Sequence, residues 1–392
     1  IPNDAIKIDA SSQYITSALN DMHIHLEGDA WNIMFPPEKQ FSEDDLDFED
    51  ILFPYLANGI TTVQVMSALP EHIALRERIK SGEILGPRLI LNRMVDGVGE
   101  AWPPPINTQV ATPEEARQIV IDSKDAGYDG MKVYNSLDQE CYNAILTTAK
   151  KLDMPVVGHI PNALSVEHIL GAGQNLIAHS EEVMKHTQGD FSSEKIEYFA
   201  EIIAKSKTWA TPTLTTSRKI LALFDDLDAQ LSRPEMRFLH PMARGVWSYL
   251  IENIYLKIPP EHRQFIRQGF NGFQRPFTKA LYEKGIKLMT GTDVLIPVNL
   301  PGFSLHDELQ EFVDVGLTPY EALRTSTTHP VDYLGELDDT GTLEIGKRAE
   351  LVLLEANPLD DIANAKKIMG VLCIEQWLDR EEIQGRMDNL HC

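Results

Sequence analysis

The chain has 392 residues, 43% of them hydrophobic, enough for a large core, and no run of about 18 apolar residues that would offer a membrane span. Its 35 basic and 59 acidic residues leave a net charge of −24, a surface that repels phosphate backbones and excludes nucleic acid as a partner. Three cysteines, Cys141, Cys373 and Cys392, form no CxxC pair, which argues against a disulfide scaffold or a thiolate metal site. Residue 1 is Ile rather than Met. The chain is therefore expected to be processed or a piece of a longer one, and its compartment stays open.

From the N-terminus onward, short apolar, β-branched segments alternate with helical ones. Strands are expected at 19–25, 61–66, 88–94, 130–134, 155–160, 175–180, 209–215 and 287–294. Their continuous apolar character, as in VVGHI and LIAHS, is that of strands buried on both faces. Between them, the segment from Thr112 opens with Pro113, Glu114 and Glu115 and closes on Gly127, a helix signalled from cap to cap. The stretches beginning at Asp138, Ser193 and Arg275 follow the same logic. Eight strands alternating with helices predict a closed parallel (β/α)8 barrel over 19–335, a fold that absorbs about 250 residues or more as one domain.

Two segments depart from this rhythm. Residues 218–271 carry Trp247, Tyr249, Tyr255, Phe265 and Phe270 among charged residues and read as a helical insertion long enough to cap the barrel mouth. Residues 336–392 change character: TLEIGKRAELVLLEAN and VLCIEQWLDREEI read as strands around Gly346 and the Asn357–Pro358 turn. With residues 1–18, and a strand expected within 6–15, they would make a small β-domain. The acidic run at 42–50 is expected to be a solvated lead-in to a helix, with calcium or partner binding as the alternative.

The first barrel strand contains Asp21-Met22-His23-Ile24-His25. Residues two apart on a strand face the same way, so both imidazoles point to the barrel axis and form a ligand pair suited to zinc or a similar divalent ion. HxH alone is weak. His159 near the end of the fifth strand, His179 near the end of the sixth and Asp293 near the end of the eighth make it a constellation, because that rim is where such barrels do chemistry. The other eight of the twelve histidines, including His72, His168, His186 and His262, are expected to be packing or surface residues, His306 excepted. Lys132, inside the fourth strand, is costly unless paired or chemically changed. Either a neighbouring carboxylate pairs with it, or its amine has taken up carbon dioxide to give a carbamate that bridges two cations.

With these residues in place the chain resembles the amidohydrolase superfamily. The wording of NDMHIHL, GYDGMKVY, PVVGHIPNA, NLIAHSEE, LMTGTDV, GLTPYEALRTSTTHPVDYLG and GTLEIGKRAELVLLEANPL is similar to its imidazolonepropionase-like branch. That branch includes binuclear, carbamylated-lysine enzymes acting on Xaa-Pro dipeptides or acylated amino acids. The resemblance spans about residues 19–385. It implies a barrel with a small β-sandwich domain built from both chain ends, expected here to be incomplete because the N-terminal piece is short. Ser17-Ala18 stand where the family has Pro-Gly.

Carried onto this sequence, the resemblance implies two divalent ions, zinc being the expected metal. His23, His25 and Asp293 would hold the more buried one, His159 and His179 the more exposed one, and carbamylated Lys132 both. The pair would acidify a bridging water and polarise the scissile carbonyl, Asp293 shuttling the proton to the leaving amine. Tyr134, two residues after Lys132, could bind the substrate or its oxyanion, or simply fill the barrel. His306 matches a family histidine near the substrate. Imidazolonepropionases lack the bridging lysine, so Lys132 argues against that activity.

The expected function is hydrolysis of amide-like bonds in small peptide-like or N-acyl amino acid substrates, by a homo-oligomer. Lactonase or phosphotriesterase activity on the same centre, and a non-catalytic scaffold, are the alternatives. The specificity loops would be 26–41, 96–107, 135–137, 161–164, 180–190 and the insertion. Trp102 beside three prolines should form a stiff aromatic wall. Arg93, Arg218 and Arg275 are the candidate single contacts to a carboxylate, and apolar or aromatic substrate groups are expected.

Overall fold

The computed structural model describes residues 7–42, 45–99 and 102–390. Seven parallel strands pair in order around a barrel: β2 (Leu19–Ile24), β3 (Ile60–Val65), β4 (Arg88–Gly97), β6 (Gly130–Val133), β7 (Val156–Gly158), β8 (Leu176–Ala178) and β9 (Trp209–Thr211), with β5 (Thr108–Val110) alongside β4. Residues 287–294 close the ring. They touch their neighbours through two parallel bridges, Ala210–Leu288 and Ile24–Val294, and through Met289 N–H to Ala210 O and Met22 N–H to Thr290 O, each at 2.9 Å. The expected eighth strand is thus present as a closing segment rather than as a continuous ladder. Gly291 permits this seam, because a Cβ there would stand 2.5 Å from Thr211 Cγ2 and 2.6 Å from His23 Cβ.

Met22 of β2, Val157 of β7 and Leu176 of β8, with Met66 just after β3 and Met289 of the closing segment, form one buried cluster that fills the barrel interior. The much larger cluster lies between strands and surrounding helices. There the helix Pro113–Ala126 shows how closely local sequence dictates structure. Thr112 accepts from Glu115 N–H, Glu115 answers the Thr112 backbone, and Gly127 ends the helix at φ 94°.

A second, antiparallel sheet joins β1 (Tyr14–Ser17), β10 (Leu351–Leu354), β11 (Ile368–Cys373) and β12 (Gln376–Asp379) in that order. Both chain ends contribute, as expected. The N-terminal strand, however, lies at 14–17, running past the 6–15 segment, of which Ile6 is outside the described residues. Ser17-Ala18 lead straight from β1 into β2, Ala18 N–H donating to Glu350 O at 3.0 Å.

Three expectations need correction. Residues 342–350 form turns, and β10 begins only at Leu351. Of the DREEI segment, read as strand, only Asp379 ends β12; Arg380–Ile383 open helix Arg380–Asp388, because Asp379 caps it by accepting from Glu382 N–H at 2.9 Å. The seventh barrel strand stops at Thr211; Thr213 takes φ 49° and helix Leu214–Asp225 starts at once. Its first N–H groups, Leu214 at 2.9 Å and Thr215 at 2.5 Å, are bound by the buried Glu308 carboxylate, a long-range contact that local sequence does not announce. The acidic run does lead into a helix, Phe48–Ala57, through Asp47 at its cap, residues 43–44 lying outside the described residues. The insertion is helical, with Leu227–Leu231, Pro241–Asn253 and Pro260–Gly269 among its helices.

Candidate metal centre and its cavity

The C-terminal strand ends gather the expected residues. His23 lies within β2 and His25 just beyond it, where a bulge sets the step Asp21–Ile24 against the step Val63–Val65; such a bulge re-aims side chains. His23 Nε2 is 3.3 Å and His25 Nε2 3.2 Å from the same Asp293 oxygen, Oδ1. Lys132 is in β6, and His159 and His179 directly follow β7 and β8. The ring centres of His23 and His179 are 4.4 Å apart, those of His159 and His179 4.9 Å. One ligand atom each from His23, His179 and Asp293 lie within 4.8 Å of one another, all three residues buried.

Each of three imidazoles has its Nδ1 engaged, which leaves Nε2 for the centre. His25 Nδ1 meets Ser67 Oγ at 2.6 Å. His179 Nδ1 meets Thr213 Oγ1 at 2.7 Å. His159 Nδ1 lies 3.0 Å from both Asn135 Oδ1 and Glu182 Oε1. Glu182 is itself fixed by Ile160 N–H at 3.1 Å and by the Lys185 ammonium. His23 differs, because neither of its buried ring nitrogens has a hydrogen bond; its contact to Asp293 has an ion pair's length without hydrogen-bond geometry. Burial pushes the pKa of His23 down to about 3 and that of His159 to about 4, and lowers His179 well below its ordinary value. Neutral imidazoles are what a cation requires.

Lys132 is 1% exposed, and among the described residues no carboxylate stands at ion-pair distance from its amine. The paired-lysine expectation therefore lacks its partner. Burial brings the amine down to about 8. Gly158, at φ +118°, shapes its berth: a Cβ there would lie 2.5 Å from Lys132 Cδ and 2.5 Å from Val133 O. Buried His23 nitrogens without hydrogen bonds, imidazoles that burial keeps neutral and a buried amine without an ion-pair partner fit a cationic group held among them.

These residues open onto a cavity of about 310 Å³. His25, Lys132, Tyr134, His159, His179 and Asp293 line it, together with Trp31, Trp102, Met94, Ile106, Glu181 and, from the insertion, Leu250, Ile254 and Tyr255. Tyr134 lies against His159, ring centres 4.1 Å apart, and its hydroxyl accepts from Trp102 Nε1 at 3.0 Å. Trp102 is thus the expected aromatic wall, its neighbours Glu100 and Ala101 lying outside the described residues.

His306 is placed elsewhere. It does not line the cavity, and it sits on helix Phe303–Asp314, buried against the backbone of Asn58. The three arginines also lie off the cavity. Arg218 pairs with Glu311, Arg275 donates to Asp314 O at 3.2 Å, and Arg93 donates to Thr108 Oγ1 at 3.2 Å. Ser67, Asn135, Glu182 and Thr213, which hold the imidazoles, went unrecognised in the sequence, as did Glu181 and Trp31. Their one local signal is that Ser67, Asn135 and Thr213 each stand two residues beyond a strand end.

The chain belongs to the amidohydrolase family, whose model matches residues 14–374. It is accordingly a hydrolase of carbon–nitrogen bonds, in a family that generally uses divalent metals. No curated protein matches it significantly in sequence. Among solved structures, bottromycin amidohydrolase aligns at a TM-score of 0.75 and 22% identity, covering 97% of this chain and 81% of that one. A protein from Bifidobacterium longum provisionally described as a prolidase aligns at 0.72 and 22%, covering 100% and 88%. A Xaa-Pro dipeptidase with methionine bound in its active site aligns at 0.68 and 20%, covering 94% and 87%. At these identities the likeness establishes the fold. Among the described residues no helix is long and apolar enough to cross a membrane.

Proposed function

We propose that this protein is a metal-dependent hydrolase of amide bonds in small peptide-like substrates, with His23, His25, Asp293, His159, His179 and carbamylated Lys132 holding two divalent ions. The observation that carries this reading is the convergence of three imidazoles, Asp293 and a buried lysine on one cavity wall, with a fourth imidazole, His23, directly behind Asp293. His23, His25 and Asp293 would hold one ion, His159 and His179 the other, and Lys132 would stand between them. An amine brought down to about 8 by burial keeps enough neutral form to take up carbon dioxide. Zinc, or a similar ion, would supply Lewis acidity: a water acidified to near neutrality and a polarised carbonyl.

The protein's own groups do the rest. As the water oxygen adds to the carbonyl carbon, Asp293 takes its proton and returns it to the nitrogen that leaves when the C–N bond breaks. The Tyr134 hydroxyl accepts from Trp102, so its proton is free to be donated to the substrate oxygen. Trp31, Trp102 and the insertion's Leu250 and Tyr255 keep bulk water from the reacting bond. Dipeptides, Xaa-Pro and N-acyl amino acids define the substrate class to test, alongside lactones and phosphotriesters. The decisive experiment counts metal in wild type and Lys132→Ala. The wild type should hold two ions and the variant one or none, with activity lost. Retention of two ions and full activity by the variant would overturn the bridge, and inactivity of zinc-loaded wild type on every substrate class would overturn the enzyme reading.

A further inference from the structure

Outside the metal-centre residues, the cavity's charge is one-sided. Glu181 faces into it half-buried, and among the described residues its carboxylate has neither a hydrogen-bond nor an ion-pair partner. The Lys185 ammonium on the same turn is already taken by Glu182 and, at 3.4 Å, Asn135 Oδ1. Among the described residues no arginine lines the space, and the one lysine that does is Lys132, assigned above to the metal centre.

The remaining walls are aromatic and aliphatic. Trp31 and Trp102 meet edge to face, ring centres 5.8 Å apart. Tyr134 joins them through Trp102, and Tyr255 reaches in from the insertion. An unpaired carboxylate costs free energy unless something positive or protic meets it, and aromatic faces beside it attract ammonium groups. Away from the metal centre, a substrate carboxylate would find no cationic side chain on these walls and would face Glu181. The net charge of −24 favours the same choice at long range, drawing cations in and slowing anions.

We propose that the cavity selects amides bearing a protonated amine next to an apolar side chain and no free carboxylate, with Glu181 reading the amine. Aminoacyl amides fit this description, whereas dipeptide acids and N-acyl amino acids do not. This rests on the amide-hydrolase reading and, among peptide-like amides, replaces the free-acid dipeptides and N-acyl amino acids named there with aminoacyl amides.

The test uses zinc-loaded full-length protein and matched substrates. Leucine 4-nitroanilide should exceed its N-acetyl derivative, and leucyl-prolinamide should exceed leucyl-proline, each by at least about tenfold in kcat/KM. Glu181→Gln should collapse the amine-to-acetyl ratio towards one. Equal or better turnover of the free acids, or a Glu181→Gln ratio like that of the wild type, would overturn the proposal.

Calorimetric binding separates this failure from that of the hydrolase reading. 4-Phenylbutylamine should bind about tenfold more tightly than 4-phenylbutanol to wild type, with the preference lost in Glu181→Gln. That outcome supports amine selection even if no amide is cleaved, which would sink the hydrolase reading alone; equal binding of amine and alcohol sinks amine selection.

Discussion

Gly158 and Lys132 are shaped to each other: a Cβ on Gly158 would lie 2.5 Å from Lys132 Cδ and 2.9 Å from Cε. The lysine stem therefore occupies space that only glycine leaves, on a backbone turned to φ +118°, which side chains rarely adopt. Gly158→Ala should cost about 1–3 kcal/mol from backbone strain and push the Lys132 amine aside. The expected result is a melting temperature lower by a few degrees, with bound metal reduced to half or less. Elemental analysis beside a thermal scan checks it; full metal content would show that the berth is not needed.

The hydroxyl of Thr213 fixes the His179 ring through Nδ1 at 2.7 Å. Thr213→Val keeps the shape and removes the acceptor. Loss of such an outer contact weakens metal binding by about 10–100-fold. Competition with a chelator of known affinity measures the shift, which should fall on one ion rather than both.

Tyr134→Phe separates catalysis from metal retention. Removing the hydroxyl should lower kcat by roughly a hundredfold if it serves the developing oxyanion, with metal content unchanged. A raised KM at constant kcat would instead mean that the hydroxyl only helps hold the ground state.

His72 gives a pH prediction independent of the metal centre. Its Nδ1 accepts from Leu69 N–H at 3.1 Å and its Nε2 meets Glu27 O at 2.7 Å, a pattern only the neutral ring satisfies. Burial lowers its pKa from 6.5 to about 4. The unfolded chain thus binds a proton below pH 6.5 that the folded chain refuses until about pH 4, and in that window stability falls with pH by about 1.4 kcal/mol per unit for this one group. His72→Asn should flatten the fall in stability on acidification from pH 6 to 4.5, measured by denaturant titration, relative to the wild type. Identical slopes would refute it.

What the sequence disclosed, and what it withheld, follows from the range of the interactions. Strand positions were legible because β3, β4 and β6 are almost wholly buried and carry short clusters of β-branched and aliphatic residues between helical segments. Helix Pro113–Ala126 was legible because its caps lie within the segment. The early start of helix Leu214–Asp225 was not, since the group that binds its first N–H donors is Glu308, more than ninety residues on. The same holds within the site. The two-residue spacing of HxH put both rings on one side, where each reaches Asp293 Oδ1, while the other rim residues were found by their places at the ends of separate strands. Glu182 turns back to His159, and Glu181 faces the cavity, through a five-residue helix, Ser180–Met184, whose direction no periodicity encodes. His306 shares its helix with Glu308, and its placement was set by that helix's packing rather than by its nearness in sequence to Asp293.

The closing segment of the barrel has a mechanical consequence. Its backbone is tied to the first strand on either side of His23, through Met22 N–H to Thr290 O and His25 N–H to Val294 O, and at His23 O, which accepts both Asp293 N–H at 2.7 Å and Thr292 N–H at 3.2 Å. The joint that closes the ring and the pair that would grip a cation therefore belong to the same two residues, His23 and Asp293, one through the backbone and the other through the side chains. The barrel cannot loosen at this seam without separating His23 from Asp293, so a cation shared by the two would act as a rivet. Mild denaturant should silence the metal-free protein's capacity to rebind zinc before its helices melt, and zinc added first should bring the two events together.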